Sequence, residues 1–134
     1  MNTIRIAIAD DEVLIRKGMS TLVQDFEGVK LLFEANNGQE LVDQLGTCEH
    51  LPDVVITDLK MPVMDGVKAA RIIGEKYPQI RVIILSTYFS KAFVINMLEI
   101  GAAAYLPKNS TPDEVEVSIR GVMEKGFYYS DAVM

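Results

Sequence analysis

Tryptophan is absent from the 134-residue chain, and cysteine and histidine occur once each, as Cys48 and His50. A lone cysteine rules out an internal disulfide, and one cysteine with one histidine falls short of the ligand set of a structural zinc site. Positive charge is also short: 13 Lys and Arg stand against 19 Asp and Glu, a net charge of −6. A grip on nucleic acid rests on neutralising phosphates with Lys and Arg, so any DNA contact is expected from a C-terminal domain outside this chain. No apolar run approaches the roughly 18 residues a membrane span needs, and no signal peptide opens the sequence. No membrane partner is therefore expected, and the cytoplasm is the expected compartment.

What is present is a globular composition, 49% hydrophobic and 24% charged, at the size of one domain. Short runs rich in Val, Ile and Leu, at Ile4 to Ala9, Val29 to Phe33, Val54 to Thr57, Val82 to Ser86 and Ala103 to Leu106, have the character of strands buried on both faces. Amphipathic stretches separate them. From Glu12 to about Asp25, Ile15, Met19, Leu22, Val23 and Phe26 share one stripe, and from Pro112 to about Lys125, Val115, Ile119, Val122 and Met123 share another. Thr111 is the expected N-cap of that last helix, with Pro112 in its first turn. Strand and helix alternating five times predict an α/β fold, a five-stranded parallel sheet with helices on both faces.

Ligands of such a sheet sit beyond the carboxyl ends of its strands. Asp10 and Asp11 follow the first strand, Asp58 closes the third in "VVITDLKMPVMDG", Ser86 closes the fourth in "VIILSTY", and Lys108 follows the fifth in "AAYLPKNSTP". Only the second strand brings no polar group to that edge. Each residue alone has a plainer reading: Asp10 and Asp11 as helix caps, Asp58 as a loop starter, Ser86 as a satisfied hydroxyl, Lys108 as a surface charge. Asp65 and Gly66 read as turn chemistry, the glycine for positive φ. Together, three carboxylates at one rim exceed what Lys108 can offset, and a hard divalent cation such as Mg²⁺ is the natural counter-charge. An arriving phosphoryl group would find a metal, an ammonium and a hydroxyl for its oxygens.

The ordered set "ADDE", "DLKMPVMDG", "ILSTY" and "GAAAYLPK" resembles the receiver domain of bacterial two-component response regulators, over essentially the whole chain. The resemblance implies the flavodoxin-like (βα)5 fold with strand order 2-1-3-4-5. It implies that Asp58 takes a phosphoryl group from a phosphohistidine on a sensor histidine kinase, and that Asp10, Asp11, Asp58 and the backbone carbonyl of Lys60 hold Mg²⁺. Ser86 and Lys108 match the phosphoryl-binding positions, and Ser86 with Tyr105 the switch pair, in which Ser86 drawn inward vacates space for Tyr105 to follow. Lys60 and Tyr88 match positions that flank the path of attacking water, and their size leads to an expectation of slow dephosphorylation.

Many receivers carry proline, after a cis peptide bond, where Asn109 follows Lys108. A non-proline cis bond costs about 2.5 to 4 kcal/mol, so the sequence leaves that isomer open. With "STPDEVEVSIRGVMEKGFYYSD" the pattern resembles regulators of the NarL and LuxR type, whose output is a helix-turn-helix domain. Residues 1–126 are then the receiver, and 127–134 the expected start of a linker. The crowd of apolar residues in "SKAFVINMLEIG" suggests a homodimer formed on phosphorylation through the fourth helix, with a surface on the first and fifth helices as rival. Other classes fit less well. A phosphohydrolase of the haloacid dehalogenase type expects Asp-x-Asp after its first strand, and a flavin carrier a phosphate loop where this chain has carboxylates. A stand-alone or phosphorylation-independent receiver is the remaining alternative.

Overall fold

Side chains that alternate along each strand sort the core into two layers. Ala7, Ala9, Val55, Val82, Ile84 and Tyr105 point to one side of the sheet, and Ile6, Ile8, Val54, Ile56, Ile83 and Leu85 to the other. The computed structural model describes residues 3–87 and 90–129. Its elements run β1 (Ile4–Ala9), α1 (Val13–Gln24), β2 (Val29–Ala35), α2 (Gly38–Thr47), β3 (Val54–Thr57), α3 (Gly66–Lys76), β4 (Arg81–Ser86), α4 (Lys91–Glu99), β5 (Ala104–Pro107) and α5 (Pro112–Lys125). The strands pair in parallel in the order 2-1-3-4-5, as the sequence leads one to expect. Leu41 and Leu45 of α2, Ala69, Ala70 and Ile73 of α3, and Val94 and Met97 of α4 close one layer. Val23 of α1 and Val115, Ile119 and Val122 of α5 close the other.

The last helix forms as its sequence dictates. The Thr111 side chain accepts the Glu114 amide at 3.2 Å, the Glu114 carboxylate accepts the Thr111 amide at 2.8 Å, and Pro112 opens the first turn. Gly126, at φ 87°, ends the helix in the left-handed region that favours glycine. Beyond it the chain stays docked: the Tyr128 amide donates to the Ala103 carbonyl at 2.8 Å, and its ring packs on the α1–α5 layer.

Two details differ from the sequence reading, and a third that it left open is decided. Ile15 and Met123, assigned to apolar stripes, are 37% and 40% exposed. Met19, Leu22, Val23 and Phe26 pack on the core as expected, but towards its N-terminus the inner face of α1 is Arg16 and Ser20 rather than Ile15, because the first turns lie against the polar ends of β1 and β2. On α4, Val94 and Met97 are buried, Phe93, Leu98 and Ile100 are half-buried, and Ile95 is left exposed, so the crowded apolar residues mostly widen the core stripe. All described peptide bonds are trans, the one between Lys108 and Asn109 included.

Candidate functional site

The rim is built by hydrogen bonds that run one residue past the strands. The Asp10 amide donates to the Ala35 carbonyl at 3.1 Å, Asp58 to Ala9 at 3.0 Å, and Lys108 to Ser86 at 2.9 Å. Each functional residue is thereby fixed by its neighbouring strand while its side chain leaves the sheet at the carboxyl edge. Gly66 serves the same end by close approach. A Cβ there would collide with the Asp58 carbonyl oxygen, and its amide donates to Leu59 at 2.8 Å, so α3 starts pressed against the main chain of Asp58. Its φ is not positive, which corrects the turn-based reading. Asp65 caps α3 by accepting the Lys68 amide at 2.9 Å. Ahead of both, Val63 sits at φ 68°, spanned by a Met64 amide to Pro62 carbonyl bond of 2.7 Å. A β-branched residue in that γ-turn is strained, and the strain lies in the loop that carries Asp58.

At the rim, carboxylate oxygens of Asp10, Asp11 and Asp58 all lie within 4.8 Å of one another. At an effective dielectric of about 20, two ionised groups at that distance repel by roughly 3 kcal/mol. Lys108 stands among them, its Nζ 3.1 Å from Asp10, 3.2 Å from Asp58 and 2.9 Å from Glu12. Burial would lower the Lys108 pKa, but the hydrogen bonds to Glu12 and Asp10 outweigh it and hold the ammonium well above its ordinary range. For Asp58, burial first and then the charge of Asp10 push its carboxyl up, against the opposing pull of Lys108 and the Leu59 amide. One cation shared by three carboxylates therefore leaves the pocket under-neutralised. The donor set is hard oxygen with no sulfur or imidazole, which fits Mg²⁺.

Neither Asp10 nor Asp11 is the N-cap of α1; that position is Glu12, and the Asp10 carboxylate accepts the Glu12 amide at 2.9 Å. Ser86 is buried at the end of β4, paired in register with Pro107. Tyr105 is 1% exposed on the layer of α4. Burial raises its phenol pKa, partly offset by the polar side chain of Ser86. The aromatic ring thus already occupies the interior, whereas an inward swing would begin from an exposed ring. An open cavity of about 620 Å³, lined by Ser86, Thr87, Pro107, Lys108 and Asn109, adjoins the carboxylates and leaves room for a phosphoryl group and its donor. Lys60 is exposed in the loop after Asp58. Tyr88 lies outside the described residues.

Two participants were missed in the sequence. Glu12 takes a share of Lys108, and its signal was simply the third acid of "DDE". Arg16 reaches the Asp10 carbonyl, and its signal was a basic residue on the same helical face as Ser20 and Val23.

Comparison with known proteins places this geometry. Residues 6–120 match the family model "Response regulator receiver domain". The chain is 33% identical over 123 residues to the transcriptional regulatory protein LnrK of Bacillus subtilis (strain 168), covering 92% of this chain and 55% of that protein. The chain spans about half the length of the curated relatives it matches. Among solved structures, a LuxR-family two-component response regulator from Aurantimonas sp. SI85-9A1 superposes with a TM-score of 0.89 at 27% identity, over 98% of this chain and 93% of that one. The signal receiver domain of a response regulator named NarL from Mycobacterium tuberculosis gives 0.81 at 30% identity, over 92% and 96%. Parallel (βα)5 topology, the aspartate cluster at its carboxyl edge and these matches agree: the chain belongs to the response regulator receiver domain family, on the LuxR and NarL branch of two-component regulators.

Proposed function

We propose that Asp58 is the phosphoacceptor, taking a phosphoryl group from the phosphohistidine of a sensor histidine kinase. A carboxylate oxygen of Asp58 forms the new O–P bond as the N–P bond of the donor breaks, and the imidazole leaves with the electron pair and gains a proton. Asp10, Asp11 and Asp58, with the Lys60 carbonyl, would hold Mg²⁺, and the ion when bound would supply charge neutralisation for the carboxylates and the phosphoryl oxygens. Lys108 and the Ser86 hydroxyl bind those oxygens in the adjoining cavity, where a phosphoryl group of roughly −1.5 to −2 charge takes the place of the single charge of the Asp58 carboxylate. Because Ser86 and Tyr105 stand on the paired strands β4 and β5, recruiting the Ser86 hydroxyl to phosphate changes what the buried phenol meets, and the switch is read there. The mixed anhydride hydrolyses, so the signal erases itself, at a rate tuned by Lys60 and Tyr88.

The observation that carries this reading is the meeting of Asp10, Asp11 and Asp58 within 4.8 Å, with Lys108 paired to Asp10 and Asp58. Incubation with acetyl phosphate and Mg²⁺ followed by intact mass tests it. One phosphoryl group on the wild type and none on Asp58→Asn is the expected result; equal loading of both, or of neither, refutes it.

The proposed output is transcription, through a C-terminal helix-turn-helix domain outside this chain that makes the DNA contacts, with 127–134 leading towards it. The exchange is proposed to take place in the cytoplasm; no described helix is long and apolar enough to cross a membrane. For a homodimer on phosphorylation, α4 offers only Ile95 as a large exposed apolar side chain, whereas α5 offers Val117 and Met123 with Phe127 just beyond. The rival surface on α1 and α5 is therefore favoured; these two helices share one layer, and Arg120 of α5 donates to the carbonyl of Glu27, in the loop after α1, at 2.8 Å. Sedimentation with and without beryllofluoride, in wild type and in Val117→Asp, separates the surfaces: loss of the added mass in the variant supports α5, and its retention returns the contact to α4.

A further inference from the structure

We infer that Arg16 is a positioning residue of the carboxylate pocket: it fixes the main chain of Asp10 and thereby sets where Asp10 and Asp11 present their carboxylates. Arg16 is 7% exposed as a residue, on the inner face of α1. Its Nη1 donates to the Asp10 carbonyl and to the Asn36 side-chain oxygen, each at 2.7 Å, and its Nε to Glu34 at 2.9 Å. Asn36 is held in turn by Glu40 of α2, which accepts its amide at 3.0 Å. The end of β2, which sends no side chain to the rim, thus supports the rim from behind through one planar fork.

With Arg16 in place every polar group of Asp10 has a partner: the amide on Ala35, the carbonyl on Arg16, and the carboxylate on Glu12 and Lys108. Between β1 and α1 there are only Asp10, Asp11 and Glu12, so a fixed Asp10 carbonyl fixes the approach to Asp11 as well. A lysine would keep the charge but lacks the rigid fork that reaches three acceptors at once. The inference rests on the reading of the pocket as a cation site, and the two are separable. As a charge alone, Arg16 near the pocket repels a cation, so removing it would tighten binding; as a clamp, its loss weakens binding.

The test is Mg²⁺ titration of the 134-residue chain by calorimetry, in wild type, Arg16→Lys and Arg16→Gln, together with hydrogen exchange of the Glu12 amide, which is bonded to the Asp10 carboxylate. Weaker Mg²⁺ binding in both variants, by about tenfold as for other residues that orient metal ligands, and faster Glu12 exchange with α5 amides unchanged, is the expected result. A merely structural role would lower the melting temperature and leave both readouts as they are in the folded protein. Unchanged or tighter Mg²⁺ binding in a folded variant overturns the inference. Should the wild type itself take no Mg²⁺, the cation reading fails and Glu12 exchange alone decides: acceleration upholds the clamp, no acceleration overturns it. If Arg16→Gln does not fold, Arg16→Lys and Glu34→Ala, which removes an anchor of the guanidinium without touching Asp10, carry the same decision.

Discussion

Two buried cations meet at Asp10, and they are surrounded in opposite ways. Lys108 and Arg16 each have side chains 9% exposed. Lys108 faces Asp10, Glu12 and Asp58, three carboxylates for one charge. Arg16 faces one carboxylate, Glu34, and spends its other hydrogen bonds on a carbonyl and an amide oxygen. The carboxyl shifts follow. Burial and Asp10 push Asp58 up, whereas Glu34, despite the upward pull of burial, is held below its ordinary value by Arg16 and Lys17. A matched set of charges fixes a backbone; an excess of anions stores unmet demand for a cation and a phosphoryl group. The fold places the saturated cluster behind the hungry one.

The contrast is broken most forcefully by removing each cation. Lys108→Met in metal-free buffer should cost about 3 to 5 kcal/mol, as when one member of a buried pair is deleted, and saturating Mg²⁺ should return a large part of it. Arg16→Gln should cost about 3 kcal/mol by the same reasoning, with little returned by Mg²⁺, because what is lost is a clamp and not counter-charge. Urea unfolding with and without Mg²⁺ reads both. Equal rescue of the two variants would erase the distinction between the clusters.

The pH dependence sharpens it, since the two carboxyls titrate with opposite sign. Asp58 has a raised folded-state pKa, so its contribution is fully present below its ordinary value of 3.8 and is lost as pH rises through the raised one. Glu34 has a lowered one, so its contribution is present above 4.5 and is lost as pH falls through the lowered value. In metal-free protein, wild type should lose ground to Asp58→Asn on going from pH 4 to 7, and gain ground on Glu34→Gln over its own range. Parallel trends would mean that the pockets do not differ in charge balance. The smallest effect is a control on α5. Ser118 of α5 is fully buried with no hydrogen-bond partner for its hydroxyl among the described residues, so Ser118→Ala should stabilise by about 1 kcal/mol with or without Mg²⁺.

Much of this was legible in the chain itself. Apolar runs of four to six residues marked β1, β3, β4 and β5 to within a residue, because strands buried on both faces admit few polar side chains. The strand-end rule then drew Asp10, Asp11, Asp58, Ser86 and Lys108 to one edge. What escaped were residues whose role is set by the partner across the fold. Arg16 looks like a misplaced charge on an apolar stripe until Glu34 and Asn36 are brought to it, about twenty positions along the chain. Gly66 reads as a turn glycine, and only the packed structure reveals that the Asp58 carbonyl occupies the place of its side chain. For Tyr105, the sequence located an aromatic ring in a short strand but could not say that the ring lies fully inside.

The most direct measurement is equilibrium unfolding of wild type and Asp58→Asn at pH 7, in chelator and in saturating Mg²⁺. If the carboxylates share an unmet need for a divalent ion, Asp58→Asn is the more stable protein in chelator, by about 1 kcal/mol once relief of like-charge repulsion is set against the lost bond to Lys108, and the order reverses in Mg²⁺. A wild type that is already the more stable in chelator, with Mg²⁺ changing neither protein, would contradict the account.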